Sequence, residues 1–144
     1  MAARAYAIGE LARLTGTKVP TIRYYETVGV LAPPERSVGG QRRYDAAALD
    51  RLRFIRRGRA LGLGLSDIRR LLDITEQPHG PCAEADAIAR RHLEEVEAQI
   101  ARLETLRGQL QGMLANGAHE EARSCAVLES LSEHETGLSK RLKN

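Results

Sequence analysis

Residues 8–28 read IGELARLTGTKVPTIRYYETV, and their apolar spacing divides the stretch into two short helices about Thr15 and Gly16. Ile8, Leu11 and Leu14 recur at helical intervals in the first, and Val19, Ile22 and Val28 are the apolar positions of the second. Two short helices about a glycine-bearing turn predict a helix-turn-helix. Immediately downstream, Gly29 to Tyr44 holds Pro33, Pro34, Gly39 and Gly40 and ends in Gln41, Arg42, Arg43 and Tyr44. That is the chemistry of a loop or hairpin carrying positive charge. Asp45 is a candidate N-cap for a helix from Ala46 to Ala60, in which Leu49, Leu52, Ile55 and Ala60 keep near-helical spacing. Ser66 is expected to cap a further short helix through Leu72, with Gly62 and Gly64 marking the break between the two.

Beyond this, Thr75 to Pro81 contains Pro78, Gly80 and Pro81 and reads as a linker. From Cys82 to Leu114 there is no proline, so the run can form a helix about 50 Å long at about 1.5 Å per residue. Its apolar positions Leu93, Val96, Ile100, Leu103, Leu110 and Leu114 follow a 3-4 spacing interrupted at Arg107. So narrow a stripe needs a partner helix, and the residues after Leu114 offer few large aliphatics to fold back on it, so homodimerisation is expected. The sequence therefore predicts an all-α chain with a small wing hairpin. Its divisions are a helix-turn-helix head with its hairpin over 1–74, a linker over 75–81, a dimerisation helix over 82–115, a loop and short helix over 116–132, and a disordered tail over 133–144.

The chain has 144 residues, 42% of them apolar and 28% charged, which suits a packed core and excludes a large multi-domain enzyme. Aromatics are 3% with no Trp, so the core is expected to be aliphatic. The formal charge of +3 is unevenly spread: residues 1–79 carry +6 and the remainder −3. A polyanion would bind the basic part. No apolar run is long enough to span a bilayer and residues 1–6 lack a signal-peptide core, so a cytoplasmic protein without membrane contact is expected. Two cysteines, Cys82 and Cys125, are too few for a disulfide framework. There is no nucleophile elbow and no P-loop, and the chain is not expected to be an enzyme.

Three linked motifs go further. IGELARLTGTKVPTIRYYETVGVL at Ile8–Leu31, RSVGGQRRY at Arg36–Tyr44 and LRFIRRGRALGLGLSDIRRLL at Leu52–Leu72 closely resemble the MerR family of bacterial transcription regulators. A recognition helix beginning near Lys18 projects Thr21, Arg23 and Tyr24 from its N-terminal half, the part that meets base edges in the major groove. Arg23 is the candidate base reader, since a guanidinium pairs bidentately with guanine O6 and N7. Tyr24 and Tyr25 can donate hydroxyls to phosphate, although a core position is an equal reading for Tyr25. The resemblance places Arg36, Arg42 and Arg43, with Tyr44 behind them, on a wing touching DNA backbone and minor groove, and makes Arg56, Arg57 and Arg59 a second phosphate-contacting cluster.

For the effector, the resemblance implies a metal-responsive branch with an antiparallel coiled coil of two long helices. It brings Cys82 of one protomer near His119 and Cys125 of its partner, a divalent-metal site of two thiolates and an imidazole suited to Zn or Cd. The family's metal sensors usually carry one further Cys, and here that window reads Ala115, Asn116, Gly117, Ala118. His119 is the replacement donor, with water, Glu120 or Glu121 completing the shell. A thiol-redox or electrophile sensor using Cys82 or Cys125 is the alternative, since Arg123 lies two residues from Cys125. The resemblance further implies a repressor that becomes an activator by distorting promoter DNA for RNA polymerase, controlling efflux or detoxification genes.

Overall fold

The computed structural model describes residues 4–115 and 125–132, which divide into two compact units, residues 1–90 and 91–144. In chain order the elements are α1 (Ile8–Thr15), α2 (Val19–Thr27), β1 (Glu35–Arg36), β2 (Arg42–Arg43), α3 (Ala46–Ala60), α4 (Leu65–Thr75) and α5 (Ala83–Ala115). Residues 126–132 are also helical. The expected all-α architecture with a two-stranded wing is what the chain forms, and α5 is a single continuous helix of 33 residues. No helix among the described residues is long and apolar enough to cross a membrane.

The first unit owes its core to the apolar faces of α1 to α4. Leu11, Ile22, Leu31, Leu52, Ile55 and Ile68 are fully buried, and Ile88 on the first turns of α5 joins them. α1 ends because Gly16 adopts φ +65°, a left-handed conformation that a side chain disfavours, and the amides of Gly16 and Thr17 both return to the Ala12 carbonyl. The Thr15 hydroxyl donates to the Leu11 carbonyl at 2.8 Å and closes the same turn. Lys18 then precedes α2, with proline in its first turn, where a missing N–H costs nothing.

Asp45 caps α3 as expected, its Oδ1 accepting from the Ala48 amide at 2.8 Å. α3 meets α4 at Gly58, where a Cβ would lie 2.7 Å from Ile68 Cγ1, so only glycine permits this approach.

Two expectations are corrected. Gly64, not Ser66, occupies the N-cap of α4, which has no side-chain cap; the helix starts one residue before Ser66 and runs to Thr75, past Leu72. The core is not purely aliphatic: Tyr6, Tyr25 and Tyr44, three of the four tyrosines, are buried in it. His119, Glu120, Glu121, Arg123 and the expected tail over 133–144 lie outside the described residues.

Candidate nucleic-acid interface and effector residues

α2 presents two faces. Ile22 and Tyr25 point into the core, while Lys18, Arg23, Tyr24 and Thr27 are exposed and Thr21 is half-buried. Tyr24 is 53% exposed. The Arg23 guanidinium makes no hydrogen bond or ion pair among the described residues, so it is available to a ligand. Behind the helix, Val30 and Leu31 return their amides to the Tyr25 carbonyl. Arg51 Nε donates to the Val30 carbonyl at 2.7 Å, and Arg69 donates to the carbonyls of Val28 and Gly29. Two guanidiniums from α3 and α4 thus fix the exit of α2 at carbonyls no helix satisfies.

The wing pairs Glu35 with Arg43 and Arg36 with Arg42, closed by Ser37 and Gln41 and by Gly40. Arg43 is exposed and unpaired among the described residues, and Arg36 reaches back only to the Gly40 carbonyl at 3.4 Å. Arg42 turns inward, its Nη1 3.0 Å from Glu26 Oε2 on α2. Tyr44 is 1% exposed and donates its hydroxyl to Glu26 Oε1. Burial, then the adjoining carboxylate of Glu26, pushes the Tyr44 phenol up to about 12, so it remains a protonated donor throughout the neutral range. Of the residues expected to face DNA, Tyr44 and Tyr25 are therefore core residues and Arg42 is an internal tether. The structure gives the Tyr25 ring to the core because its neighbour Ile22 shares the inward face.

The α3 cluster also divides. Arg57 is exposed and unpaired among the described residues. The Arg56 guanidinium lies against the helix-turn-helix at Gly16, within 3.4 Å of where a Cβ would be, which brings the α3 cluster to the turn before the recognition helix. Arg59 Nη1 donates to the Leu63 carbonyl at 2.9 Å and holds the α3–α4 corner. Glu26, Arg51 and Arg69 were not anticipated from the sequence. Their partners lie 16 to 41 residues away, beyond the reach of any local pattern.

Cys82 is exposed at the head of α5, where its carbonyl accepts the first helical bond from Asp86 and its Sγ lies 3.9 Å from Asp86 Oδ1. Two residues on, Glu84 receives both Nε and Nη2 of Arg70 from α4. The guanidinium lowers the Glu84 carboxyl below its ordinary value. Cys125 is half-buried and opens the helical residues 126–132, its carbonyl accepting from Glu129 at 3.0 Å. Cys82 belongs to the first unit and Cys125 to the second. Among the described residues no group of three or more His, Cys, Asp or Glu converges within the chain. His79 is exposed, and His92, half-buried, lies 3.4 Å from Glu95 along one face of α5.

A family model described as MerR HTH family regulatory protein matches residues 6–74, and a second, described as MerR, DNA binding, matches residues 49–113. The HTH-type transcriptional regulator ZntR of Escherichia coli K12 is 39% identical over 136 residues, spanning 92% of this chain and 96% of ZntR. The crystal structure of the transcription regulator PbrR691 from Ralstonia metallidurans CH34, in complex with lead(II), superposes with a TM-score of 0.75 at 36% identity, over 88% of this chain and 98% of PbrR691. HiNmlR, a MerR family regulator lacking the sensor domain and bound to promoter DNA, superposes with a TM-score of 0.55 at 26% identity, over 78% of this chain and 85% of HiNmlR. These relatives are regulators and not enzymes. With the wing, the exposed recognition-helix face and the continuous α5 in place, the matches establish that this chain belongs to the MerR family of helix-turn-helix, DNA-binding transcriptional regulators.

Proposed function

We propose that the chain is a homodimeric, cytoplasmic, metal-responsive regulator that represses a promoter and, on binding a divalent ion of the Zn or Cd type, activates it for RNA polymerase. The controlled genes would serve metal efflux or detoxification. The proposed divisions are a DNA-binding head over 1–74, a linker over 75–81, a dimerisation helix over 82–115 and an effector segment over 116–132. Thr21, Arg23 and Tyr24 on α2, Arg36 and Arg43 on the wing and Arg56 and Arg57 on α3 would form the surface toward double-stranded DNA.

One observation carries the sensing half of this reading: Cys82 is an exposed thiol at the head of α5, two residues from the Glu84–Arg70 pair joining that helix to α4. A ligand held there acts on an element already tied to the head. The donor set fits a soft divalent ion, with thiols at Cys82 and Cys125 and an imidazole at His119, and the lead(II) complex of PbrR691 supports the same class. A bound ion would supply bonds that favour one conformation of the dimer over another, which is the free-energy difference any switch requires. The chain's own part is to present the sulfur atoms of Cys82 and Cys125 as donors and to pass the change through Glu84 and Arg70 to α4.

Anaerobic titration of the reduced, metal-free protein with Co²⁺ and Cd²⁺ tests the site. Saturable thiolate-to-metal absorption, reduced in both Cys82→Ser and Cys125→Ser, is the expected result. In transcription assays Cys125→Ser should retain operator binding and lose induction. An absence of bands with operator binding intact would replace the metal by a thiol oxidant or electrophile as the signal.

A further inference from the structure

Glu26 sits near the end of α2 with 10% of its side chain exposed, and its two carboxylate oxygens are divided between two residues of the wing. Oε2 accepts from Arg42 Nη1 at 3.0 Å and Oε1 accepts from the Tyr44 hydroxyl. Tyr44 is itself anchored by backbone bonds to Tyr6 in both directions, at 2.7 and 2.9 Å. The hairpin between them has two residue pairs, and a two-stranded ribbon so short has no independent stability. Its register also sets Arg36 directly opposite Arg42, and like charges across such a pair repel. Glu26 neutralises one of the two. With Arg42 drawn toward α2, the alternation of β2 sends Arg43 to the other face, where it is exposed.

We infer that Glu26 is a positioning residue for DNA binding: it fixes the wing to the recognition helix, so that Arg43 meets backbone phosphate in the pose that lets Arg23 meet bases. The inference rests on the proposed reading of Arg43 as a phosphate contact. Without the tether, the wing keeps its charges but must be ordered at the moment of binding, and that ordering consumes conformational entropy. A purely electrostatic role predicts the reverse sign, because removing a carboxylate from a DNA-binding head should strengthen attraction to DNA.

The test uses the full-length chain and a duplex recovered by selection from random-sequence DNA, with affinity read by fluorescence anisotropy at several salt concentrations. Arg43→Ala alone should weaken binding by about three- to tenfold, the scale of one phosphate contact or two. Glu26→Ala should weaken it at least as much, and adding Arg43→Ala to Glu26→Ala should cost less than about twofold more. Tyr44→Phe keeps the buried ring and removes only the hydroxyl, so it should give a smaller loss of the same kind, with the head still folding cooperatively at a modestly lower thermal midpoint. Glu26→Gln, which keeps an acceptor for Tyr44, should recover part of the affinity. Independent, multiplying losses for Glu26→Ala and Arg43→Ala would overturn the positioning role, as would tighter binding by Glu26→Ala. No loss for Arg43→Ala in the otherwise native chain would remove the wing reading itself, and the inference with it.

Discussion

Arg23 is the one guanidinium on the exposed face of α2, and nothing among the described residues engages it. A free, exposed arginine on a recognition helix has two roles open to it, and they differ in what they discriminate. A contact to phosphate strengthens binding to every sequence, whereas a bidentate contact to guanine strengthens binding to one. Arg23→Ala should therefore reduce the preference for selected over random duplex by about 1 to 3 kcal/mol, while leaving the salt dependence nearly unchanged. Competition anisotropy against both duplexes checks this, and an equal loss on the two would assign Arg23 to phosphate. The same scale shows what residue identity alone conveys. Tyr24 and Tyr25 are adjacent and chemically identical, yet one is 53% exposed and the other 8%, because one helical step of about 100° separates the outer face from the core. The sequence left both faces open for Tyr25. It placed Tyr44 among the DNA contacts for want of any local sign of Glu26, which lies 18 residues away.

At the scale of elements, the α3–α4 corner shows how closely the helices of the head approach. Gly58 is buried, and a Cβ there would fall 2.7 and 2.9 Å from two carbons of Ile68, which is itself fully buried and has no free space to enter. Gly58→Ala should therefore destabilise the head by about 1 to 3 kcal/mol through overpacking, despite the better helix propensity of alanine. On α5 the opposite holds. No atom of the described residues lies within 4 Å of a Cβ at Gly108, so Gly108→Ala should add up to about 1 kcal/mol to the helix. Urea midpoints for the two variants, moving in opposite directions, check the pair; destabilisation by both would mean that Gly108 meets another chain closely. Element boundaries were readable where the signal is local and chemical. Asp45 has a capping oxygen at the right place, Gly16 ends α1, and an unbroken run without proline became α5. The start of α4 was not readable, because its N-cap is a glycine that contributes no side-chain bond, while the nearby serine offers one that is not used. The tether at Glu26 was illegible for a different reason: it joins elements whose proximity exists only after the head has packed.

For the whole molecule, the decisive feature is the apolar surface that α5 leaves uncovered. Leu93, Ile100, Leu103, Leu106, Leu110 and Leu114 are each between 47% and 73% exposed, and Val96 is half-buried among them. Leu106 continues the stripe where Arg107 had suggested a break. A contiguous apolar band of this length is not what a lone chain presents to water, and at a spacing of three and four residues it suits a second helix. DNA binding gives the pairing its consequence. A head of about 70 residues with few base-reading side chains has limited affinity, but two heads linked through their helices bind as one, gaining an effective concentration that raises overall affinity by roughly 10²- to 10⁴-fold. Leu103→Glu places a carboxylate in the middle of the band without disturbing the core of the head, to which Leu103 does not belong. This variant should sediment as a monomer at micromolar concentration, keep the unfolding transition of the head, and lose at least about 100-fold in affinity for a two-half-site duplex. On a duplex carrying a single half-site it should bind as weakly as the native chain does. Sedimentation velocity with anisotropy on both duplexes decides the matter. A Leu103→Glu chain that remained dimeric would move the pairing surface off this stripe, and with it the route by which an effector bound at Cys82 could address two heads at once.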